Sequence, residues 1–481
     1  MVFASVEFLF VLLPLTLLAY YLVGYVTGRV SLLNVVMLIA SLVFYDWSGG
    51  VYTIVLLAVI LINYVAGLAI HRFDGRSKGA QKLALVVGVA ANLGVLAYFK
   101  YAGFVVAQLA FLPSWVPKAD PAAFQIILPI GISFYIFQAM SYLIDVYRHD
   151  ARYQPNLANF ALYVVMFPQL IAGPIVRYQL VAEQIDERKP LPGVAMFADG
   201  VTRFAIGFAK KVIVADTMAV VVDAVYAAPP SELSAPVAWL GLLAYTFQIY
   251  FDFSGYSDMA IGLGLMFGLK FPENFNRPYA SVSITDFWRR WHMTLSSWFR
   301  DYLYIPLGGS RGSAVRTYVN LIIVFMATGI WHGANWTFIV WGAYHGAWLI
   351  VERVLGVKLV EDGRSHAVRR LLTFFIVVLG WNLFRAPSLE HAGQMYYALF
   401  AGGFGPAPAA VADVLTNYFY FMFMLAAGLI AASQFVSLRA ILMEPSRLGD
   451  WARVGLVAGA FPYAVMMVAS GTFSAFIYYQ F

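Results

Sequence analysis

Long apolar runs separated by short polar segments follow one another along the whole chain. The runs from Phe8 to Leu22, Val51 to Ile70, Leu83 to Phe99 and Val454 to Ala469 approach or reach the roughly 20 apolar residues that a helix needs to cross a bilayer. No single run dominates, so the spans are expected to pack against one another. The pattern predicts an all-α polytopic membrane protein with about 10 to 12 transmembrane helices, organised as one domain over residues 1–481.

Two apolar segments, Asn159 to Val176 and Val319 to Ile350, are interrupted within their length. The interrupting residues are Pro168, Gly173 and Pro174 in the first segment, and Gly329, Gly333 and Asn335 in the second. Irregular backbone at membrane depth is tolerated only where it is buried in protein or lines a water-filled cavity. We therefore predict re-entrant and interfacial helices around a central pore, in addition to the regular spans.

The basic residues indicate the orientation of the chain. The loop from His71 to Lys82 holds four lysines and arginines against a single acidic residue, Asp74, which places it in the cytoplasm by the positive-inside rule. Counting back over three spans places the N-terminus outside. The arginine-rich region from Phe271 to Arg316 is assigned to the cytoplasmic side. This bias accounts for the formal net charge of +6, so no nucleic-acid partner is expected.

The composition excludes several classes of chemistry. The chain has no cysteine, which excludes disulfides, thiolate metal sites and a cysteine nucleophile. The spacing of its histidines and carboxylates does not resemble a zinc site or a two-metal site, so no metal is expected. Only 12% of its residues are charged, against about 25% in an average soluble domain, as a membrane protein requires.

A histidine in the second interrupted segment is the main candidate for catalysis. His332 lies in an apolar run, and an ionisable group at membrane depth is a functional hypothesis by default. A neutral imidazole could remove a hydroxyl proton during acyl transfer and return it to a leaving thiolate. The alternative is a packing histidine that is hydrogen-bonded between helices. His345 lies 13 positions further on, which on one unbroken helix is roughly the opposite face, so it is interpreted as packing.

A second histidine, His292, lies in a basic and aromatic segment. Arg289 and Arg290 precede it and are predicted to bind an anionic acyl donor such as a phosphorylated cofactor, while opposing protonation of the imidazole by like charge. His292 could instead be an ordinary interfacial residue.

Carboxylates in apolar segments form a further group, composed of Asp145, Asp252 and Asp258. Buried carboxylates need partners, which arginines near residues 277 to 300 are expected to supply. Structural ion pairing and a direct role in an active site are both compatible with the sequence.

Several ordered motifs resemble those of the membrane-bound O-acyltransferases, with the densest agreement from residue 124 to residue 350. They are LPIGISFYIFQ (Leu128 to Gln138), FPQLIAGPI (Phe167 to Ile175), YFDFSGYSDMAIGLG (Tyr250 to Gly264), NFNRPY (Asn274 to Tyr279), ITDFWRRWHMTLSSWFRDYLYIPLGG (Ile284 to Gly309) and WHGANWT (Trp331 to Thr337). The resemblance implies a ring of helices around a pinched pore. It also implies that the histidine of WHG, His332, is catalytic. His292 corresponds to the histidine of WRRWH and is the second candidate catalytic residue, which either shares the chemistry or positions the donor.

The resemblance further implies a membrane O-acetyltransferase that passes acetyl groups across the inner membrane of a bacterium. Acetyl-CoA in the cytoplasm is the expected donor, with no permanently bound cofactor, and a periplasmic exopolysaccharide such as alginate is the expected acceptor. Membrane lipid and periplasmic acetyltransferase proteins are the expected partners, and the N-terminus is expected in the periplasm. Three alternatives stay open: another glycan such as cellulose or peptidoglycan, a non-catalytic transporter of an acetylated intermediate, and an assembly scaffold.

Overall fold

The computed structural model of the chain describes residues 2–109, 126–357, 366–436, 441–442 and 446–471, and the regular elements within these ranges are all helical. The predicted all-α fold is therefore confirmed. The chain divides into two compact units, one formed by Met1–Phe204 with Met259–Pro272 and the other by Ala205–Asp258 with Glu273–Phe481. The expectation of one domain over residues 1–481 stays a prediction, and residues 124–125 of the motif-rich region lie outside the described ranges.

The first unit contains the N-terminal helices and the start of α10. A π-helical turn, Phe8–Leu12, precedes α1, and another, Ala97–Tyr101, joins α4 to α5. Gly28 ends α1 in the left-handed conformation that glycine adopts without strain. The helices are α1 (Leu13–Thr27), α2 (Val30–Gly49), α3 (Thr53–Phe73), α4 (Lys78–Leu96), α5 (Ala102–Leu109), α6 (Ile132–Arg148), α7 (Leu157–Val165), α8 (Phe167–Leu170), α9 (Tyr178–Glu187) and α10 (Val194–Ala209).

The second unit contains most of the remaining helices, while the last residues of α12 belong to the first unit. Two π-helical turns occur in it before the C-terminal helices, Lys210–Ala215 between α10 and α11, and Arg300–Tyr304 after α14. The helices are α11 (Asp216–Ala227), α12 (Ala235–Met266), α13 (Ile284–Arg290), α14 (Met293–Phe299), α15 (Ala314–His332), α16 (Trp336–Val354), α17 (Ala367–Arg385), α18 (Leu389–Ala401), α19 (Ala409–Ala412), α20 (Asn417–Ser433), α21 (Arg447–Gly455) and α22 (Phe461–Ala469).

Six helical stretches within the described ranges are long and apolar enough to cross a membrane. They are Phe8–Thr27, Val30–Phe73, Lys78–Leu109, Ala314–His332, Ala367–Arg385 and Arg447–Ala469. The chain is therefore a multi-pass membrane protein. The total of about 10 to 12 spans stays a prediction.

The first interrupted segment is irregular and buried, as predicted. Helix α7 ends at Val165, Met166 adopts φ −52° and ψ 110°, and the single turn of α8 follows. The side chain of Gln169 donates a hydrogen bond to the carbonyl oxygen of Tyr163 at 2.6 Å, across the break. This hydrogen bond satisfies a backbone carbonyl at the break inside the protein, which is what irregular backbone in a membrane protein requires.

Two lysines pair with the carboxylates of α12. Lys211 lies 2.9 Å from Asp252 and 2.6 Å from Asp216, and Lys210 lies 2.6 Å from Asp258. Both lysines belong to the π-helical turn before α11, which widens the helix by one residue and changes the direction of the side chains that follow. The sequence suggested arginines near residues 277 to 300 as partners and did not point to these lysines, because a helical periodicity of 3.6 residues does not anticipate this turn.

Candidate active site

Helices α15 and α16 form a tight antiparallel hairpin that carries His332 at its turn. Gly329 on α15 and Gly342 on α16 face each other, so that a side chain on either would collide with the backbone carbonyl of Phe338 or Phe325. Asn335 begins α16, where its side-chain oxygen accepts a hydrogen bond from the backbone N–H of Thr337 at 3.1 Å. The predicted break near His332 is confirmed, and the neighbouring glycines serve the close approach of the two helices.

His332 is the last residue of α15 and is enclosed by aromatic rings. Its imidazole lies 4.9 Å from Trp331, 5.1 Å from Trp341 and 5.0 Å from Phe384, measured between ring centroids, and only 3% of the residue is exposed. The rings meet edge to face, the favoured geometry for aromatic pairs. This enclosure restricts the imidazole to one orientation and keeps bulk water away from it.

His292 occupies the position before α14 and has a left-handed backbone conformation, with φ 43° and ψ 53°. This conformation is uncommon for residues other than glycine and is typically held by surrounding structure. Asn274 supplies part of that structure, since its side-chain oxygen accepts hydrogen bonds from the backbone N–H and the hydroxyl of Thr294 at 3.3 and 2.9 Å. The amide of Asn274 also donates to Ser257 at 3.0 Å, so the NFNRPY motif anchors the start of α14 to α12.

Burial lowers the pKa of His292 well below the ordinary value for histidine, so its ring is neutral at pH 7. The residue is 1% exposed and its ring lies 4.6 Å from Phe253. From the sequence, repulsion by the charges of Arg289 and Arg290 was expected to keep this ring neutral. In the structure, the cause of the lowered pKa is burial, which removes the ring from water.

The indole of Trp331 brings the two predicted histidines together. Its centroid lies 4.9 Å from His332 and 6.1 Å from His292. The two histidines are 40 positions apart in sequence and lie on different helices. Both are therefore in the same aromatic cluster, as a shared site requires.

A cavity of about 480 Å³ opens beside this cluster within the second unit. Its apolar wall includes Trp288, Phe299 and Phe325, and Thr328 lies at its edge. Thr328 precedes His332 by four residues on α15, so both residues lie on the same face of that helix. The cavity thus reaches to within one helical turn of His332.

The two arginines predicted to bind an acyl donor differ in their surroundings. Arg289 lines the cavity and is exposed. Arg290 does not line it, and instead forms an ion pair with Asp286, four residues earlier on α13, at 2.8 Å. Within this site, Arg289 therefore faces the cavity, whereas Arg290 stabilises its own helix.

Three further charged residues line the cavity but were not singled out in the sequence. Glu352 and Arg353 follow the apolar run of α16 directly. Arg300 also lines it, and its hydrogen bond with Asp301 raises its pKa, so that it stays protonated. For Glu352 and Arg353, the position directly after an apolar run was the only feature of the sequence that could have indicated a place in the site.

His345 belongs to the same aromatic cluster, which sequence reasoning missed. Its Nδ1 accepts a hydrogen bond from the indole N–H of Trp288 at 3.4 Å, and its ring lies 5.1 Å from Trp341. Trp341 therefore has His332 on one side and His345 on another. The comparison of helix faces does not apply, because the two histidines lie on separate helices, and the interpretation of His345 as a packing residue stays a prediction.

No group of three or more histidines, cysteines and carboxylates that could hold a metal ion occurs among the described residues. The groups that the structure gathers around the cavity and the histidines are imidazoles, arginines and indoles. They can exchange a proton and bind an anion, which are the needs of acyl transfer from an anionic thioester.

The model of the membrane-bound O-acyltransferase family matches residues 148–380. The chain is 49% identical over 406 residues to a probable alginate O-acetylase of Pseudomonas aeruginosa, covering 84% of this chain and 75% of that protein. The chain belongs to the membrane-bound O-acyltransferase family. It is accordingly a membrane O-acyltransferase, and the resemblance in its motifs is confirmed.

More distant relatives act on other polymers. A peptidoglycan O-acetyltransferase of Helicobacter pylori is 37% identical over 428 residues, which covers 82% of this chain and 78% of that protein. A teichoic acid D-alanyltransferase of Bacillus subtilis is 26% identical over 411 residues, with 79% of this chain and 97% of that protein covered. The acyl group and the acceptor thus differ between members, whereas the transfer of an acyl group is common to these named activities.

Proposed function

We propose that this protein passes acetyl groups from acetyl-CoA in the cytoplasm across the membrane for the O-acetylation of an exopolysaccharide in the periplasm, with alginate as the polymer. The observation that carries the proposal is the meeting of His332 and His292 at one indole, beside a cavity that bears arginines. Similarity to probable alginate O-acetylases supports the choice of polymer.

In this proposal His332 acts as the general base. Its imidazole takes the proton of the attacking hydroxyl as the oxygen bonds to the thioester carbonyl, and returns that proton to the sulfur as the carbon–sulfur bond breaks. The alternative is that His332 attacks the carbonyl itself and carries the acetyl group as an acyl-imidazole. Both routes need an imidazole in one orientation, which the surrounding rings supply.

His292 and the arginines have supporting roles. His292 is neutral and buried against the same indole, and it contributes to the shape of the reaction centre. Arg289 binds the anionic part of the donor, because it lines the cavity and phosphate is a good ligand for guanidinium. Arg290 acts indirectly, through its pairing with Asp286 on the same helix.

The distribution of charge supports the orientation that we propose. We place the protein in the inner membrane of a bacterium, with the N-terminus in the periplasm and the loop from His71 to Lys82 in the cytoplasm. Helices α15 and α16 then begin and end on the cytoplasmic side, where the arginines meet the donor, and their turn carries His332 toward the periplasm. Periplasmic acetyltransferase proteins would receive the acetyl group and complete its transfer to the polymer.

Peptidoglycan is the second candidate acceptor. It is favoured by the 37% identity to the peptidoglycan O-acetyltransferase of Helicobacter pylori, which is lower than the 49% identity to the probable alginate O-acetylase. Expression in cells that make one polymer or the other, followed by measurement of ester-linked acetate on each, distinguishes the two.

The test of the catalytic assignment is His332→Ala in cells that acetylate the polymer. We expect acetylation to fall by a factor of about 10² to 10⁴, the usual contribution of a general base. His366→Ala is the matched control, since His366 precedes α17 and makes no side-chain capping bond there. Full acetylation by a His332→Ala protein that is present in the membrane and folded would show that the assignment is wrong.

A further inference from the structure

An apolar groove of about 420 Å³ lies in the first unit, between α1 and the start of α10. Its side chains are largely uncovered, since Leu18 is 66% exposed and Val194 is 87% exposed. Because α1 belongs to a stretch long and apolar enough to cross a membrane, the groove opens toward the hydrocarbon of the bilayer. The lining residues are Leu17, Leu18 and Tyr21 of α1, with Pro192, Val194 and Phe197.

The shape of the groove is fixed by contacts on both of its walls. The hydroxyl of Tyr21 donates a hydrogen bond to the carbonyl oxygen of Met266 at 2.8 Å, and its ring meets Phe197 edge to face at 5.6 Å. Further along α1, Gly24 leaves no room for a side chain because Leu191 packs against it. The segment that leads into α10 is therefore held against α1, and the groove exists without a ligand in it.

Three exposed basic side chains lie in sequence close to the contacts at the Thr27 end of the groove. Lys189 comes two residues before Leu191, which packs on Gly24, and Arg29 directly follows the glycine that ends α1. The third is Lys270, two residues after Gly268, where a β-carbon would lie 3.8 Å from Pro192. None of the three forms an ion pair with a residue in the described ranges. This end of the groove therefore carries positive charge that is open to an anion.

The distance from the groove to this basic end suits a lipid. Thr27, the last residue of α1, follows Tyr21 by six residues, or about 9 Å along the axis at 1.5 Å per residue. One leaflet accounts for about half of the roughly 30 Å hydrocarbon thickness of a bilayer. An acyl chain that lies in the groove can thus place its headgroup at the basic end.

Arg188 adds a buried positive charge beside the same end. It is 9% exposed, and a β-carbon at Gly268 would lie 3.9 Å from its Cδ. Its guanidinium donates hydrogen bonds to the side-chain oxygens of Asn34 and Tyr20 at 2.7 and 3.3 Å, and no carboxylate in the described ranges pairs with it. The adjacent Glu187 lines a different cavity. A buried cation without a counterion is costly, so an anion bound nearby is stabilising.

We infer that the groove holds an acyl chain of an anionic phospholipid whose headgroup lies against Arg29, Lys189 and Lys270. The lining is apolar, as a hydrocarbon chain requires, and the basic end attracts a net negative headgroup. A zwitterionic phospholipid brings its own cation beside the phosphate, so it gains less from these side chains. The site is independent of the proposed acyl transfer and shares no residue with the cavity beside His332.

The test uses the full-length protein in nanodiscs of phosphatidylcholine that contain a trace of a photoreactive phospholipid. The photoreactive diazirine is carried on the acyl chain, and the headgroup is either phosphatidylglycerol or phosphatidylcholine at the same mole fraction. After irradiation, mass spectrometry of peptides shows which residues the acyl chain has labelled. The measurement therefore separates the groove from the rest of the lipid-facing surface.

We expect phosphatidylglycerol to label the groove about tenfold more than phosphatidylcholine does. Lys189→Gln and Lys270→Gln should each lower the labelling by phosphatidylglycerol about fivefold, the usual contribution of one basic side chain to the binding of anionic lipid. Labelling by phosphatidylcholine should not change in these variants, which also shows that the groove is intact. The matched control is Lys78→Gln combined with Lys82→Gln, two exposed lysines at the start of α4 that do not line the groove, and it should keep the preference of the wild type.

Four results would overturn the inference. Equal labelling of the groove by the two lipids would mean that ordinary bilayer lipid fills it. An equal loss of preference in the control pair would mean that the general charge of the surface attracts the lipid. Loss of the preference on addition of inorganic phosphate at constant ionic strength would assign the basic residues to a free anion. Absence of labelling by either lipid would mean that protein, such as a second copy of this chain, covers the groove.

Discussion

The N-terminal helices α1 to α4 and the interior of the second unit are both apolar, but they use apolar residues differently. The membrane-spanning windows in Phe8–Thr27, Val30–Phe73 and Lys78–Leu109 are 22%, 33% and 17% buried, so most of their side chains are left to face lipid. In the second unit, by contrast, Trp291, Trp341 and Trp381 are almost fully buried. In the first region the apolar side chains face the lipid of the bilayer. In the second region they enclose buried polar groups.

The polar residues show the same contrast. Asn63 on α3 and Asn92 on α4 exchange hydrogen bonds of 2.8 and 2.9 Å, a closed pair that joins two helices and leaves little capacity for a ligand. In the second unit the buried polar groups include two histidines within an aromatic cluster and a lysine between two carboxylates. A buried polar group is costly unless it is satisfied, so the concentration of such groups marks the region where function is maintained at the expense of stability.

The largest effect on the free energy of unfolding is expected from a change at Lys211, in the polar interior of the second unit. Lys211→Met leaves Asp216 and Asp252 buried without their shared cation, which should destabilise the protein by about 3 to 5 kcal/mol. Lys78→Met, at the exposed start of α4, is the matched control and should change stability by about 0.5 kcal/mol or less. Thermal unfolding in detergent measures both. Equal melting temperatures for the two variants would contradict the role assigned to Lys211.

A smaller effect is expected from adding a methyl group to a helical glycine. Gly329→Ala forces α15 away from the Phe338 carbonyl and should lower the free energy of unfolding by about 1 to 3 kcal/mol. It should also lower the activity, because His332 is three residues away on the same helix. Gly94→Ala on α4 meets no atom within 4 Å and should be neutral or slightly stabilising, because alanine favours the helix. If Gly329→Ala melts with the wild type and keeps its activity, the hairpin is less tightly constrained than its geometry indicates.

The smallest of these effects on stability separates structure from function. Asn274→Ala and Asn92→Ala each remove buried hydrogen bonds and should each cost about 1 to 2 kcal/mol. Only Asn274→Ala should also lower kcat per folded molecule, because Asn274 holds the strained backbone at His292. Turnover is compared after correction for the folded fraction. An equal kcat for the two variants would show that Asn274 does not position the site.

Much of the fold could be predicted from the sequence, because hydropathy and backbone breaks are local properties. The apolar runs that became the spans, the break at Met166 and the turn after His332 all follow from residue types at their own positions. The site was predicted in part, since His332 and His292 lie at one indole and Arg289 lines the adjacent cavity. Their chemical roles stay predictions.

What only the tertiary structure decided are the relations between distant segments. The partners of Asp252 and Asp258 depend on a π-helical turn about 40 residues earlier, which rotates two lysines toward α12. The ion pair of Arg290 with Asp286 and the hydrogen bonds by which Glu352 ties α16 to α13 likewise appear only in the packed protein. The sequence by itself determined that this is a membrane protein with an imidazole at a helix break, because burial in lipid selects residue types directly. Which groups meet that imidazole was decided by packing, since contacts between helices depend on the direction of each side chain and not on composition.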